Sequence, residues 1–122
     1  HILVVDDEDQ QLDITKKLLD SLDYRVDTVP SGEEAVTFIS DCQVDLVILD
    51  MIMDPGINGY ETYKRLKEIN PDQKAVIASG YSESENVKKA MRLGAGAYIT
   101  KPFNIEQLGL AVEGVLHAKK DG

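Results

Sequence analysis

Ile2-Leu3-Val4-Val5-Asp6-Asp7-Glu8 passes from wholly apolar to wholly acidic without a transition. A strand with one wet face would alternate; four apolar residues in a row suit a strand covered on both faces. That is the usual condition of a parallel sheet flanked by helices. Leu46-Val47-Ile48-Leu49 and Ala75-Val76-Ile77-Ala78 repeat the pattern. Tyr24 to Val29 and Ala97 to Ile99 are weaker strand candidates. In the first of these, Tyr24, Val26 and Thr28 alternate with Arg25 and Asp27, as on an exposed edge.

Helical spacing fills the intervals. Leu12, Leu18, Leu19 and Leu22 share a face, as do Ala35, Phe38, Ile39 and Cys42. Tyr63, Leu66 and Ile69 follow, then Val87, Ala90 and Met91, and last Leu108, Val112 and Val115. Capping pairs mark helix starts at Ser31/Glu34, Asn58/Glu61, Ser82/Glu85 and Asn104/Gln107, each placing an acid or amide three residues after a short polar side chain. Five strands alternating with five helices predict a three-layer α/β sandwich, a doubly wound (βα)5 fold in one domain, 1–122.

Composition narrows the function. The net charge of −9 argues against nucleic-acid binding, which wants a basic face, and suits a cation or a basic partner. A chain of 122 residues can bury about two-thirds of its unfolded surface. The single cysteine, Cys42, cannot form an intrachain disulfide and is expected to be a small apolar contact on the second helix. No apolar run approaches the roughly 20 residues that cross a bilayer, so no membrane contact by this domain and a cytoplasmic setting are expected. No signal peptide is visible. The start at His1 reads as a piece of something longer, and the polar tail His117 to Gly122 as the start of a linker.

In doubly wound sheets, ligands sit beyond the carboxyl ends of the strands. Asp6-Asp7 and Glu8 follow the first strand, Asp50 the third, Ser79-Gly80 the fourth and Thr100-Lys101-Pro102 the fifth; only Val29 and Pro30 follow the second. Clustered carboxylates repel unless a cation neutralises them. Oxygen ligands without His or Cys point to Mg²⁺, with Mn²⁺ as the alternative. A lysine and a small hydroxyl opposite would contact phosphate oxygens, and a central aspartate can itself be the nucleophile.

On these residues, the chain resembles the receiver domain of two-component response regulators over essentially its full length. The likeness is carried by Ile2 through Glu8, Asp50 through Gly59, Ala78-Ser79-Gly80, and Gly94-Ala95 with Tyr98-Ile99-Thr100-Lys101-Pro102-Phe103. The resemblance implies a flavodoxin-like strand order 2-1-3-4-5. It implies Asp50 as phosphoacceptor and Asp6 and Asp7 as the Mg²⁺-holding pair, with Asp7 favoured as direct ligand and the Ile52 carbonyl completing the set. Ser79 is the implied hydroxyl that follows the phosphoryl group, Lys101 its cationic partner, and Lys101-Pro102 a cis peptide bond. Tyr98 matches the aromatic switch position, and the responsive face is built from the fourth helix, fifth strand and fifth helix. Implied partners are a histidine kinase or histidine phosphotransfer domain, and the family also allows a phosphorylation-dependent homodimer. The loops after Asp50 and Ser79 resemble receivers carried by hybrid sensor histidine kinases, which is preferred over a free-standing regulator.

Two departures stand out. Asp54 is an insertion, so Pro55 falls five residues after Asp50 and Gly59 nine after. The side chains two after the acceptor and two after the hydroxyl are Ile52 and Tyr81; an apolar Ile52 cannot orient hydrolytic water, which implies a long-lived phosphoryl group.

Read singly, each element has a plainer meaning. Asp6-Asp7 suits a turn and cap, Asp50 and Ser79-Gly80 suit turns, Lys101-Pro102 a loop, and Tyr98 a half-buried strand aromatic. Tyr24, Tyr60 and Tyr63 read as packing or surface residues, and His1 and His117 as end residues. Their joint order carries the signalling reading, of a domain that assists its own phosphorylation without being an enzyme. A Mg²⁺-dependent aspartyl-phosphate phosphohydrolase is the alternative, but such enzymes commonly place an aspartate where Ile52 stands. A flavin site would want a glycine- and hydroxyl-rich loop in place of Asp6-Asp7-Glu8.

Overall fold

The computed structural model describes residues 1–51, 56–80 and 85–117. Strands and helices alternate: β1 (Ile2–Val5), α1 (Asp9–Ser21), β2 (Val26–Val29), α2 (Gly32–Asp41), β3 (Leu46–Asp50), α3 (Gly59–Ile69), β4 (Ala75–Ser79), α4 (Glu85–Leu93), β5 (Ala97–Thr100) and α5 (Ile105–Leu116). The sheet is parallel throughout, in the order β2-β1-β3-β4-β5. The apolar runs are the three central strands, buried at every residue, whereas β2 and β5 are partly exposed edges.

Strand alternation divides the core in two. Leu3, Val5, Val47, Leu49, Ala75 and Ile77 meet Ala35 and Ile39 of α2, Tyr63 and Leu66 of α3, and Val87 and Ala90 of α4. Ile2, Val4, Leu46, Ile48, Val76 and Ala78 meet Leu12 and Leu19 of α1 and Leu108, Val112 and Val115 of α5. Tyr63 is fully buried, and desolvation pushes its pKa up to about 12.

The helix starts follow the capping pattern. Ser31, Asn58 and Asn104 accept from the backbone amides of Glu34, Glu61 and Gln107. The reciprocal bond that completes a capping box is formed at Asn104/Gln107. At the remaining pair, Glu85 opens α4, and Ser82 lies outside the described residues.

Four details differ from the sequence reading. β2 begins at Val26, because the amides of Leu22, Asp23 and Tyr24 all bond back to α1 carbonyls. Asp23 there takes a left-handed φ of 68°, turning the chain off the helix. On β2, Thr28 is exposed while Val29 is buried. Cys42 is exposed: it caps α2 in extended conformation, beyond the helix's buried stripe. Ile69 and Met91 are also exposed, near the ends of their helices.

Two glycines give opposite expectations. A Cβ on Gly59 would lie 2.3 Å from the Asp50 carbonyl oxygen and 2.7 Å from Met51 Cα, both backbone atoms that cannot step aside. One on Gly114, exposed within α5, would meet nothing within 4 Å. Gly59→Ala is therefore expected to destabilise by about 2 kcal/mol or more through overpacking. Gly114→Ala should stabilise by about 0.5–1 kcal/mol, since alanine is the better helix former. Urea denaturation of the two variants beside wild type checks both signs.

Candidate functional site

The order β2-β1-β3 places the change of winding direction between β1 and β3, so their carboxyl ends open the crevice in which such folds hold ligands. Side-chain parity then selects what faces it. Val4 and Ile48 point toward α1 and α5; two residues on, Asp6 and Asp50 continue the same face. On β5, Ile99 packs on that face too, and two residues later comes Lys101. One period-2 rule thus brings three charges together from three different strands.

They meet closely. The Lys101 Nζ lies 2.6 Å from Asp6 Oδ2 and 3.1 Å from Asp50 Oδ1. Asp6 and Asp50 are buried, and the Lys101 side chain is only 17% exposed. The other Asp6 oxygen, Oδ1, accepts from the Glu8 amide at 3.0 Å. Asp7 is exposed, yet one carboxylate oxygen each from Asp6, Asp7 and Asp50 falls within a mutual 4.8 Å. The Lys101-Pro102 bond is cis, and the Lys101 amide donates to the Ser79 carbonyl at 2.7 Å.

Asp50, Ser79 and Thr100 are the last residues of their strands and not, as the sequence suggested, the first beyond them. The register extends the ladder through Asp50 opposite Ala78 and Ser79 opposite Thr100. Ser79 is buried at the end of β4. It lies two residues after Ile77, hence on the face toward α2, α3 and α4. Tyr98 is the register partner of Ile77 and is half-buried against that same cluster. Ile52, Asp54 and Tyr81 lie outside the described residues. Glu33 drew no notice in the sequence; its Oε2 accepts from the Ile57 amide at 3.1 Å, across 24 positions. A main-chain amide so distant leaves no pattern that would identify it.

Three carboxylates facing one ammonium leave two negative charges in excess. The donors are all oxygen, which fits a small hard divalent cation such as Mg²⁺. Burial draws the Lys101 pKa down, but hydrogen bonding and charge from Asp6 and Asp50 outweigh it. The ammonium therefore titrates above the ordinary lysine value. A lysine shifted upward lends its stability in full below its unfolded pKa, near 10.5, and loses it as pH climbs through the folded pKa.

Removing the ammonium should leave two buried carboxylates uncompensated. Lys101→Met, in EDTA at neutral pH, is expected to cost about 3 kcal/mol in urea denaturation. The gap to wild type should narrow at pH values above the ordinary lysine pKa, as the wild-type ammonium itself is lost. Millimolar Mg²⁺ should recover part of the deficit.

A sequence profile described as the response regulator receiver domain matches residues 2–113. The chain is similar to the response regulator SaeR of Staphylococcus aureus strain USA300, 32% identical over 120 residues, covering 98% of this chain and 52% of that protein. It thus spans about half the length of the curated relatives it matches. In structure it is similar to the receiver domain of NtrX from Brucella abortus, with TM-score 0.91 and 30% identity over 98% of this chain and 100% of that one. It is also similar to a CheY-like response regulator receiver domain protein from Methanospirillum hungatei JF-1, with TM-score 0.88 and 30% identity over 94% and 91% of the two chains. With the profile running from the start of β1 into α5, the chain belongs to the response regulator receiver domain family of two-component signalling.

Proposed function

We propose that residues 1–122 form one receiver unit in which Asp50 accepts a phosphoryl group from the phosphohistidine of a histidine kinase or histidine phosphotransfer domain. An Asp50 carboxylate oxygen attacks phosphorus, the P–N bond breaks as the O–P bond forms, and the imidazole leaves with the bonding electrons. The product is an aspartyl phosphate on Asp50. The observation that carries this reading is the buried Asp50 carboxylate, held 3.1 Å from Lys101 Nζ within the acid cluster.

Asp6, Asp7, Asp50 and the Ile52 carbonyl would hold Mg²⁺, with Mn²⁺ a substitute of the same coordination chemistry. When bound, the cation neutralises the carboxylates and the charge on the phosphoryl oxygens. Lys101 orients the Asp50 carboxylate before transfer and pairs with a phosphoryl oxygen afterwards. The Ser79 hydroxyl, at the adjacent strand end, donates to another. Its movement frees the space into which Tyr98 turns, and the surface of α4, β5 and α5 changes arrangement. Exposed Met91, Ile105 and Leu110 on those helices supply apolar area for a downstream partner or a phosphorylation-dependent second copy.

The setting is cytoplasmic, on the same side as the kinase catalytic domain, and no described helix is long and apolar enough to cross a membrane. The acidic balance suits protein partners and not nucleic acid. The likeness of the Asp50–Gly56 loop to hybrid-kinase receivers supports a place in such a kinase.

Intact mass after incubation with Mg²⁺ and acetyl phosphate tests the acceptor. One phosphoryl adduct is expected, absent in Asp50→Asn and in EDTA; an adduct that persists in Asp50→Asn would place the acceptor elsewhere. Decay of that adduct tests Ile52. The phosphoryl group should outlast seconds in wild type, and Ile52→Asn should shorten its life by supplying a polar group for water. An unchanged decay rate would remove Ile52 from the account.

A further inference from the structure

At the pole opposite the acid cluster, a cavity of about 340 Å³ lies between the carboxyl ends of α2 and α3, beside the starts of β3 and β4. Both helices bring the negative ends of their dipoles to its rim. α2 has no basic side chain in its last turn; α3 has Lys67, whose Nζ donates instead to the Pro71 carbonyl at 2.8 Å. Among the described residues, no lysine, arginine or histidine lines the cavity, whereas Asp41 adds a carboxylate to its wall. Buried Ile39 and Ile69, 42% exposed, supply apolar surface. Gln73, also part of the wall, is buried. Its Nε2 donates to the Lys74 carbonyl at 3.0 Å, but its Oε1 has no hydrogen-bond partner among the described residues. A buried acceptor left in that condition costs free energy that an incoming donor would recover.

We propose that this cavity binds a small organic cation carrying N–H donors on a short alkyl stem, an alkylguanidinium or alkylammonium. The cationic head answers the Asp41 carboxylate and the two helix ends, one of its N–H groups donates to Gln73 Oε1, and the stem covers Ile69. A guanidinium suits this best, because its planar fork of donors serves two acceptors at once. The volume is at the lower end of the roughly 300–1,000 Å³ usual for small-molecule sites and exceeds what a bare ion fills. Water would satisfy Gln73 Oε1 alone, but it would leave the negative charge unbalanced and Ile69 uncovered. The proposal is independent of the phosphoacceptor reading, since none of the groups it uses belongs to the acid cluster.

The test is an NMR titration of the ¹⁵N-labelled chain with n-butylguanidinium at constant ionic strength. Saturable shifts are expected at the Gln73 side-chain amide and at the backbone amides of Cys42 and Asn70, with a dissociation constant of about 1 mM or below and the Glu8 amide unmoved. Tetramethylammonium, a cation without N–H donors, should bind at least about tenfold more weakly. Asp41→Asn, a surface change, should weaken n-butylguanidinium about fivefold, and Gln73→Met, which removes the acceptor at similar length, about tenfold. If Gln73→Met does not fold, Asp41→Asn and tetramethylammonium carry the decision. Shifts that do not saturate, equal binding of tetramethylammonium, or wild-type affinity in Asp41→Asn would overturn the proposal. N-acetylarginine methylamide, titrated alongside, separates two sources of the same chemistry. Affinity equal to that of n-butylguanidinium supports the site with a protein's arginine side chain as its occupant; affinity for n-butylguanidinium alone supports it with a free small molecule.

Discussion

One ammonium holds the functional end of the molecule together. Lys101 Nζ stands between Asp6 and Asp50, carboxylates brought close by the pairing of β1 with β3. Buried like charges at that spacing would force a proton onto one of them or push the strand ends apart. Lys101 instead arrives from the far edge of the sheet. It brings its amide to the Ser79 carbonyl and its side chain to the acids, so the charge balance and the closure of the β4–β5 end are set by one residue. A single cation cannot match three carboxylates, and the negative charge left over is of the sign that a small hard divalent ion would neutralise.

How much of this was legible in the sequence follows from the kind of signal each residue carries. Asp6, Asp50 and Lys101 could be read because each terminates an apolar run or a short strand, and strand ends on one side of a parallel sheet converge. Ser79 could be read for the same reason, though membership of the strand itself depended on the register with Thr100. Periodicity names the inward face of a helix but not how far a neighbour covers it, so the exposure of Cys42, Ile69 and Met91 was hidden. Nor does it reveal polar residues that enter the interior with partners of their own. Thr62, wholly buried, donates to the Asn58 carbonyl at 2.7 Å, and Thr15 accepts from Gln11 at 3.2 Å. Glu33 is the extreme case, since the packing of α2 on the loop before α3 exists only once the fold has formed.

The two faces of the sheet divide the labour. The charged groups continue the rows that pack on α1 and α5, whereas Ser79 and Tyr98 continue the row that packs on α2, α3 and α4. The strands between them are buried at every residue, and a close-packed interior does not deform gradually. The bond from the Lys101 amide to the Ser79 carbonyl joins the two rows directly at the strand ends.

The parity that assembles the site also dictates where the chain can change in length. One residue added within β1, β3 or β5 would turn Asp6, Asp50 or Lys101 to the opposite face and scatter the cluster, because side chains alternate with a period of two. Beyond the last paired residue that restriction lapses. Asp54 falls after Asp50 has been placed by β3 and before Gly59 restarts the chain against the Asp50 carbonyl. Variation between relatives of this chain should therefore accumulate as insertions and deletions past the strand ends, and as substitutions alone within the strands.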